Sequence, residues 1–156
     1  MDDVKYPVPR SGTIYYKIVP EFKGHQSDVW KWDGWGYRYY SRDLTGWGDA
    51  RAICQAYNGH LAKIESKEEN DIVVAKMLEI SPDSFNNLGT EGFWIGGIKD
   101  HGTWRWQDGT EVTWSDWHQG EPDIMSQVNI AILKFGDYFE WANHYGNLGF
   151  VCEYNK

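Results

Sequence analysis

Hydrophobic and polar residues follow helical spacing in two early segments of this chain and strand spacing after them. Trp47, Ala50, Cys54 and Tyr57 recur at intervals of three and four, which predicts one apolar helix face. Thr45 is the expected N-cap and Asn58-Gly59 the expected stop. Ser66-Lys67-Glu68-Glu69 has the form of a capping box, in which a hydroxyl accepts a backbone N–H three residues on. It opens a second predicted helix that runs to about Glu79, with Ile72, Val73, Ala75, Met77 and Leu78 as its apolar face and Ser81-Pro82-Asp83 as its end. Between the helices, His60 to Ile64 alternates like a short strand.

Strand patterns fill the rest. Thr13 to Val19 reads as a strand, and Trp30, Trp32, Trp35, Tyr37, Tyr39 and Tyr40 mark one or two aromatic strands that turn at Asp33-Gly34. After a polar loop containing Asn86-Asn87 comes Phe93-Trp94-Ile95-Gly96-Gly97, whose glycines admit close backbone approach. Gly102 to Trp106 sets Trp104 and Trp106 on one face and Arg105 on the other. Gln107-Asp108-Gly109 is the expected hairpin turn. Val128 to Lys134, a Gly136-Asp137 turn, Tyr138 to Trp141 and Gly149 to Tyr154 complete the strands. Two helices followed by a run of short strands predict an α+β fold.

At 156 residues the chain is long enough for one domain with a sizeable core. Residues 1–28, punctuated by Pro7, Pro9 and Pro20, read as an N-terminal extension, either a strand on the domain or an arm for a partner; residues 29–156 read as the domain. A net charge of −8 argues against nucleic acid, whose phosphates need a basic footprint, and against anionic membrane surfaces. The longest apolar stretch, Ile72 to Ile80, is broken by Lys76 and Glu79, so no membrane insertion is expected. Met1 to Lys5 lacks the apolar stretch of a secretory leader, so either a leader has been removed or the protein reaches its place by another route. Ten Trp and ten Tyr in a polar chain suit a core of large rings set among polar loops. Cys54 and Cys152 admit two readings, a pair of buried thiols or one long-range bridge worth roughly 4–5 kcal/mol in the chain-entropy account.

The candidate chemistry gathers in Trp117-His118-Gln119-Gly120-Glu121-Pro122-Asp123, with Trp141-Ala142-Asn143 and Cys152-Glu153 after it. Its carboxylate and amide oxygens suit a hard cation such as Ca²⁺, and a proline between two acids fixes loop shape. The plainer reading is a solvated acidic turn. The histidines His25, His60, His101, His118 and His144 are scattered without metal-ligand spacing, so zinc is not expected; His118 and His144, which flank the loop, read as solvated surface, with contact to a ligand or titration there as the alternative. The Trp cluster from Trp94 to Trp117 reads as core. Tyr138 is the aromatic best placed to stack on a ligand, with a packed strand residue as the alternative. Glu121 and Asp123 form a carboxylate pair of the kind glycosidases use, but no second activating group or nucleophile motif accompanies them, so no enzyme is expected.

Taken in order, these landmarks resemble the C-type lectin-like domain family. Trp47-x-x-Ala50-x-x-x-Cys54, Gly59-His60-Leu61-Ala62-Lys63-Ile64, Ser66-x-Glu68-Glu69-Asn70 and Phe93-Trp94-Ile95-Gly96-Gly97 match its first half. Trp104-x-Trp106-x-Asp108-Gly109, Trp114-x-x-Trp117-x-x-Gly120-Glu121-Pro122 and Gly149-Phe150-Val151-Cys152-Glu153 follow in its order, so that the likeness covers residues 29–156. The resemblance implies an α+β, C-type lectin-like fold of two helices and antiparallel sheets, a Cys54–Cys152 bridge, and a long loop carrying the ligand site. It implies a carbohydrate or glycoprotein ligand held with the help of Ca²⁺, through Glu121, Asp123, Gln127 and Asn143. It also implies an extracellular or secreted setting, on a cell or particle surface in adhesion. Two departures weaken the calcium set: Ala142 and Asn143 stand where the family has Asn and Asp. A third removes a staple, because Asn129 replaces one cysteine of the inner disulfide. Glu121-Pro122-Asp123 combines a mannose-type Glu with a galactose-type Asp, so it selects no sugar. The alternative expectation is a calcium-free lectin-like domain that binds a protein partner or serves as a structural adhesin subunit.

Overall fold

The computed structural model describes residues 14–15, 27–32, 35–84, 92–124 and 127–154. The expected turn at Asp33-Gly34, the Asn86-Asn87 loop and most of the 1–28 extension lie outside them. The elements run β1 (Ile14–Tyr15), β2 (Ser27–Trp32), β3 (Trp35–Thr45), α1 (Trp47–Ala56), β4 (His60–Leu61), α2 (Lys67–Ser84), β5 (Gly92–Asp100), β6 (Thr103–Trp106), β7 (Asn129–Phe135), β8 (Tyr138–His144) and β9 (Leu148–Tyr154). The strands join one sheet in the order β1-β2-β3-β9-β5-β7-β8, with β4 on β9 and β6 on β5. The pairings are antiparallel except β5 with β9, which is parallel, so the sheet is mixed.

A helix covers each face of this sheet. Along β5, Phe93 and Ile95 point to the face shared with Val73 and Met77 of α2, while Trp94 points to the face shared with Ala50, Ile53 and Cys54 of α1. Strand β7 divides in the same way, Ile130 and Ile132 on one side and Ala131 and Leu133 on the other. A strand buried on both faces reads as a continuous apolar run, which is why Phe93 to Gly97 lacks polar alternation. The disulfide Cys54–Cys152 ties α1 to β9 across 98 residues.

The glycines of β5 are there for room. A Cβ on Gly97 would stand 2.2 Å from Ile130 Cδ1, and one on Gly96 2.9 Å from the Leu61 carbonyl oxygen. The expected Trp core also forms, on both faces: Trp106 and Trp141 are buried on the α2 face, where Trp104, Trp114 and Trp117 pack against their cluster, and Trp94 is buried on the α1 face.

Several boundaries differ from expectation. Gly46, not Thr45, is the N-cap of α1, without a side-chain cap bond. Thr45 stays in β3, where it pairs with Leu148 and its carbonyl accepts the Trp94 indole N–H at 2.8 Å. The capping box forms in part: Ser66 Oγ accepts the Glu69 N–H at 3.1 Å, but the Glu69 carboxylate accepts the Glu65 N–H instead of closing the box. The Glu69 Oε2 is taken by the Tyr37 hydroxyl, a tertiary contact that overrides the local one. Helix α2 also continues through Pro82 to Ser84. Proline has no N–H for the carbonyl four residues back, so this last turn holds with one helical bond fewer.

Candidate functional site

The loop between β6 and β7 is led to the end of β8 by the backbone. Trp117 bridges to Trp141 in parallel, His118 N–H donates to the Trp141 carbonyl at 2.8 Å, and Trp141 N–H donates to Asp116 at 2.9 Å. The indole of Trp141 donates to Asn70 Oδ1 at 2.9 Å, and Asn70 Nδ2 donates to Asp116 Oδ2 at 3.2 Å. Burial, with Glu140 nearby, raises the Asp116 carboxyl above its ordinary range, so that Asn70 steadies a desolvated acid. This network fixes where the loop starts.

Glu121 N–H then donates to the His118 carbonyl at 2.8 Å, a tight turn in which Gly120 takes φ +89°. That angle suits glycine. The Glu121-Pro122 peptide is cis. His118 stays 34% exposed at its side chain but is held in place: Nδ1 lies 2.8 Å from Glu140 Oε1, and its ring stacks on Phe135 with centroids 3.7 Å apart.

Asn143 clamps the loop from β8. The Asp123 N–H donates to Asn143 Oδ1 at 2.9 Å. A backbone N–H can only donate, so this bond fixes the amide orientation, and Nδ2 is the donor side. That nitrogen lies 3.0 Å from Asp123 Oδ1, 3.1 Å from the Gln127 carbonyl oxygen and 3.4 Å from the Asp123 carbonyl oxygen. An N–H₂ group thus stands among three oxygens. Meanwhile Glu121 Oε1 and Gln127 Oε1 are buried without hydrogen-bond partners.

The structure therefore brings together Asp123, Asn143 and the Gln127 backbone, with Glu121 leading into the turn. It does not bring Tyr138 to them. Tyr138 is exposed at the opposite end of β8, five residues from Asn143, about 17 Å along an extended strand. Asp137 lies at that far end too, in the turn before β8.

A calcium ion takes six to eight oxygen ligands. The two unpartnered oxygens of Glu121 and Gln127 could serve one, but Asn143 spends its oxygen on the Asp123 N–H and turns donors toward the remaining oxygens. Ala142, buried against the α1 face, has no side-chain oxygen to add. As built, the cluster does not offer a calcium shell. Among the described residues no group of three or more His, Cys, Asp or Glu is arranged to hold a metal.

Beside the loop lies a cavity of about 500 Å³. Its walls include Gln127, Asn129, His144 and Tyr145 and, across the gap, Trp47 and Trp94. Asn129 Nδ2 is a second buried polar atom without a partner, and Tyr145 is 71% exposed. Burial lowers the His144 pKa, which favours its neutral form. These residues come from α1, β5, β7 and the β8–β9 corner, so no local motif marks them.

The sequence model of the family described as Lectin C-type domain matches residues 44–154. A perlucin-like protein of Mytilus galloprovincialis is 30% identical over 120 residues, which cover 73% of this chain and 73% of that protein. The alpha-N-acetylgalactosamine-specific lectin of Patiria pectinifera is 33% identical over 104 residues, 63% of this chain and 58% of its own length. The solved structure of SPL-1 in complex with GlcNAc is 27% identical, with a TM-score of 0.63 over 80% of this chain and 91% of that one. With the two-helix mixed-sheet fold, the Cys54–Cys152 bridge and the family match over residues 44–154, the chain belongs to the C-type lectin domain family.

Proposed function

We propose that this domain is a non-enzymatic carbohydrate-binding module that recognises sugar hydroxyls through the Glu121-Pro122-Asp123 loop and Gln127, by direct hydrogen bonds and without calcium. The observation that carries the reading is the pair of buried oxygens, Glu121 Oε1 and Gln127 Oε1, left without partners in one loop. Buried acceptors without donors are costly, and sugar hydroxyls are donors of the right kind. Asn143 serves as the clamp that holds Asp123 and Gln127 in place. It does the work of a loop-organising cation with N–H groups, which is why calcium has no part in the reading. The adjoining cavity gives a pyranose ring room beside aromatic walls. The specificity in the name of the Patiria pectinifera lectin and the GlcNAc bound in the SPL-1 complex support a carbohydrate ligand and suggest the probes. The disulfide supports an oxidising, extracellular setting.

Calorimetric titration with N-acetylgalactosamine and N-acetylglucosamine, in EGTA and again in excess Ca²⁺, tests this. Binding of equal strength in both buffers is the expected result, with a loss of at least about tenfold in a Glu121→Ala, Gln127→Ala double variant that keeps its melting temperature. Binding that appears only with Ca²⁺ overturns the calcium-free reading. An absence of saccharide binding in either buffer, extended to a glycan array, overturns the carbohydrate reading.

A further inference from the structure

The α1 face of the sheet opens into the cavity of about 500 Å³ beside the loop, and the strand register fixes which side chains share that face. Ala131 of β7 pairs with Ala142 of β8 and with Trp94 of β5, and all three lie in the cluster under α1. Asn129 pairs with His144 two residues further along the β7–β8 ladder, and side chains two apart on a strand point the same way. Asn129 and His144 therefore stand side by side on the α1 face, and the His144 ring lies 6.0 Å from that of Trp94. Tyr145 stacks on His144 with centroids 5.7 Å apart, and Trp47 and Gln127 also line the cavity. Asn129 is the residue that replaces a cysteine of the family's inner disulfide, so a side-chain amide stands here instead.

The polar groups of this wall are few. The indole N–H groups of Trp47 and Trp94 are spent on the Ile95 and Thr45 carbonyls, each at 2.8 Å, so these rings offer a ligand only apolar surface. Among the described residues, no Asp, Glu, Lys or Arg lines the cavity. Two side-chain atoms of the wall are buried without a hydrogen-bond partner: Asn129 Nδ2, a donor, and Gln127 Oε1, an acceptor. Leaving such atoms unpaired is costly. Each ends a soft terminal torsion, so a small turn presents it to a molecule in the cavity.

We propose that this cavity takes the acetamido group of an N-acetylated hexosamine. The inference rests on the carbohydrate reading above and assigns that ligand its substituent. A secondary amide carries one acceptor and one donor. Its carbonyl oxygen accepts from Asn129 Nδ2, and its N–H donates to Gln127 Oε1, whose second lone pair stays open to a hydroxyl. The methyl group lies against the Trp47 and Trp94 rings, and the C–H face of the pyranose covers Tyr145, which is 71% exposed. Other substituents satisfy less of the wall. A carboxylate meets no cation, a free ammonium faces the Asn129 donor, and a lone hydroxyl leaves the indoles uncovered.

The test titrates N-acetylglucosamine, glucosamine, glucose, N-acetylgalactosamine and galactose by NMR into the full chain with its disulfide intact. At least one N-acetyl sugar is expected to bind at least about tenfold more tightly than its plain hexose, and N-acetylglucosamine at least about tenfold more tightly than glucosamine. Saturation transferred from the protein should be strongest at the acetyl methyl protons, and the Asn129 side-chain N–H₂ and the His144 and Tyr145 amide signals should shift. Asn129→Asp, which keeps the size and removes the donor, is expected to bring the N-acetyl sugar down to the level of the hexose. Tyr145 is exposed, so Tyr145→Ala keeps the melting temperature and should weaken the same sugar. Plain hexoses that bind as tightly as their N-acetyl forms would overturn the proposal and leave the carbohydrate reading standing. Glucosamine as tight as N-acetylglucosamine, saturation centred away from the methyl, or affinity unchanged in both variants would each overturn it too. A chain that binds none of these sugars sinks the proposal, and one that binds nothing on a glycan array sinks the carbohydrate reading with it.

Discussion

Replacing Glu153 with Gln should remove a specific pH dependence of stability. Glu153 sits in β9 opposite Tyr37 of β3 and His60 of β4 and is 2% exposed. Its Oε1 accepts the Lys63 N–H at 2.8 Å. Burial pushes its carboxyl from the ordinary 4.5 to about 8; the nearby Glu69 and Glu65 add to the shift, and the Lys63 N–H opposes it. The folded protein therefore holds this proton through a range where the unfolded chain has released it. A raised carboxyl contributes stability that is fully present below about pH 4.5 and is lost as pH rises through about 8. Inside that window the slope approaches about 1.4 kcal/mol per pH unit, so the whole effect is at most about 5 kcal/mol. Gln keeps an acceptor for Lys63 and has no proton to lose. Urea unfolding of both proteins from pH 4.5 to 8.5 gives the difference directly. Glu153→Gln is expected to be about equal to the parent at pH 4.5 and increasingly more stable above pH 5.5. Other groups cancel in that difference. His144, lowered by burial, adds stability as pH rises toward 6.5, and Asp108, held below the usual carboxylate range chiefly by its bond with Lys63, acts on the acid side of the window. Parallel stability curves for the two proteins would refute the argument.

Asn143→Ala leaves the Asp123 N–H and the Gln127 carbonyl without their partner, so we expect a loss of about 1–3 kcal/mol, faster hydrogen exchange at Asp123 and weaker sugar binding. Unchanged exchange at Asp123 would show that the clamp is not what holds the loop. Gly97→Ala drives a methyl to within 2.2 Å of Ile130 Cδ1 and should cost about 1–3 kcal/mol. In Ile130→Ala the same change should cost less, and additive effects in that cycle would refute the contact. Reducing Cys54–Cys152 should lower stability by about 4–5 kcal/mol, because the bridge closes 98 residues in the unfolded chain. Denaturant midpoints that agree with and without reductant would count against it. Trp141→Phe removes the indole N–H that Asn70 Oδ1 accepts and should cost about 2–3 kcal/mol by thermal unfolding, with altered amide shifts at Asp116.

What the sequence announced was whatever depends on period and on local turn chemistry. The α1 face, the capping hydroxyl of Ser66, the close-approach glycines of β5 and the Gly136-Asp137 turn are each written in a handful of adjacent residues. The errors came where a distant partner outbid a local preference. Thr45 looked like a cap because nothing nearby reveals that Trp94, 49 residues on, needs its carbonyl. Glu69 looked like the second half of a capping box because Tyr37, 32 residues earlier, is invisible from that position. His118 looked solvated because Glu140 and Phe135 reach it only once β7 and β8 have paired.

The candidate site shows the same division more sharply. Oxygen-bearing residues in Glu121-Pro122-Asp123, Gln127 and Asn143 are plain in the sequence, and a count of oxygens suggests a cation. The direction in which each oxygen points is not in that count. Once the Asp123 N–H claims Asn143 Oδ1, the amide must present its donors to the loop, and one side chain changes from prospective ligand to clamp. Ala142 and Asn143, the two departures from the family pattern, then act together: one removes an oxygen and the other supplies N–H groups where an ion would draw the same oxygens inward. On the function proposed above, a loop held this way keeps its shape without a metal and leaves Glu121 and Gln127 with acceptors to offer a ligand. Restoring the family's acid by Asn143→Asp removes the clamp and adds a charge among the loop oxygens. That variant should gain Ca²⁺ binding measurable by calorimetry and, without Ca²⁺, should lose hydrogen-exchange protection at the Asp123 amide. An Asp123 amide that stays protected in the apo variant would mean that Asn143 was never the loop's fastening.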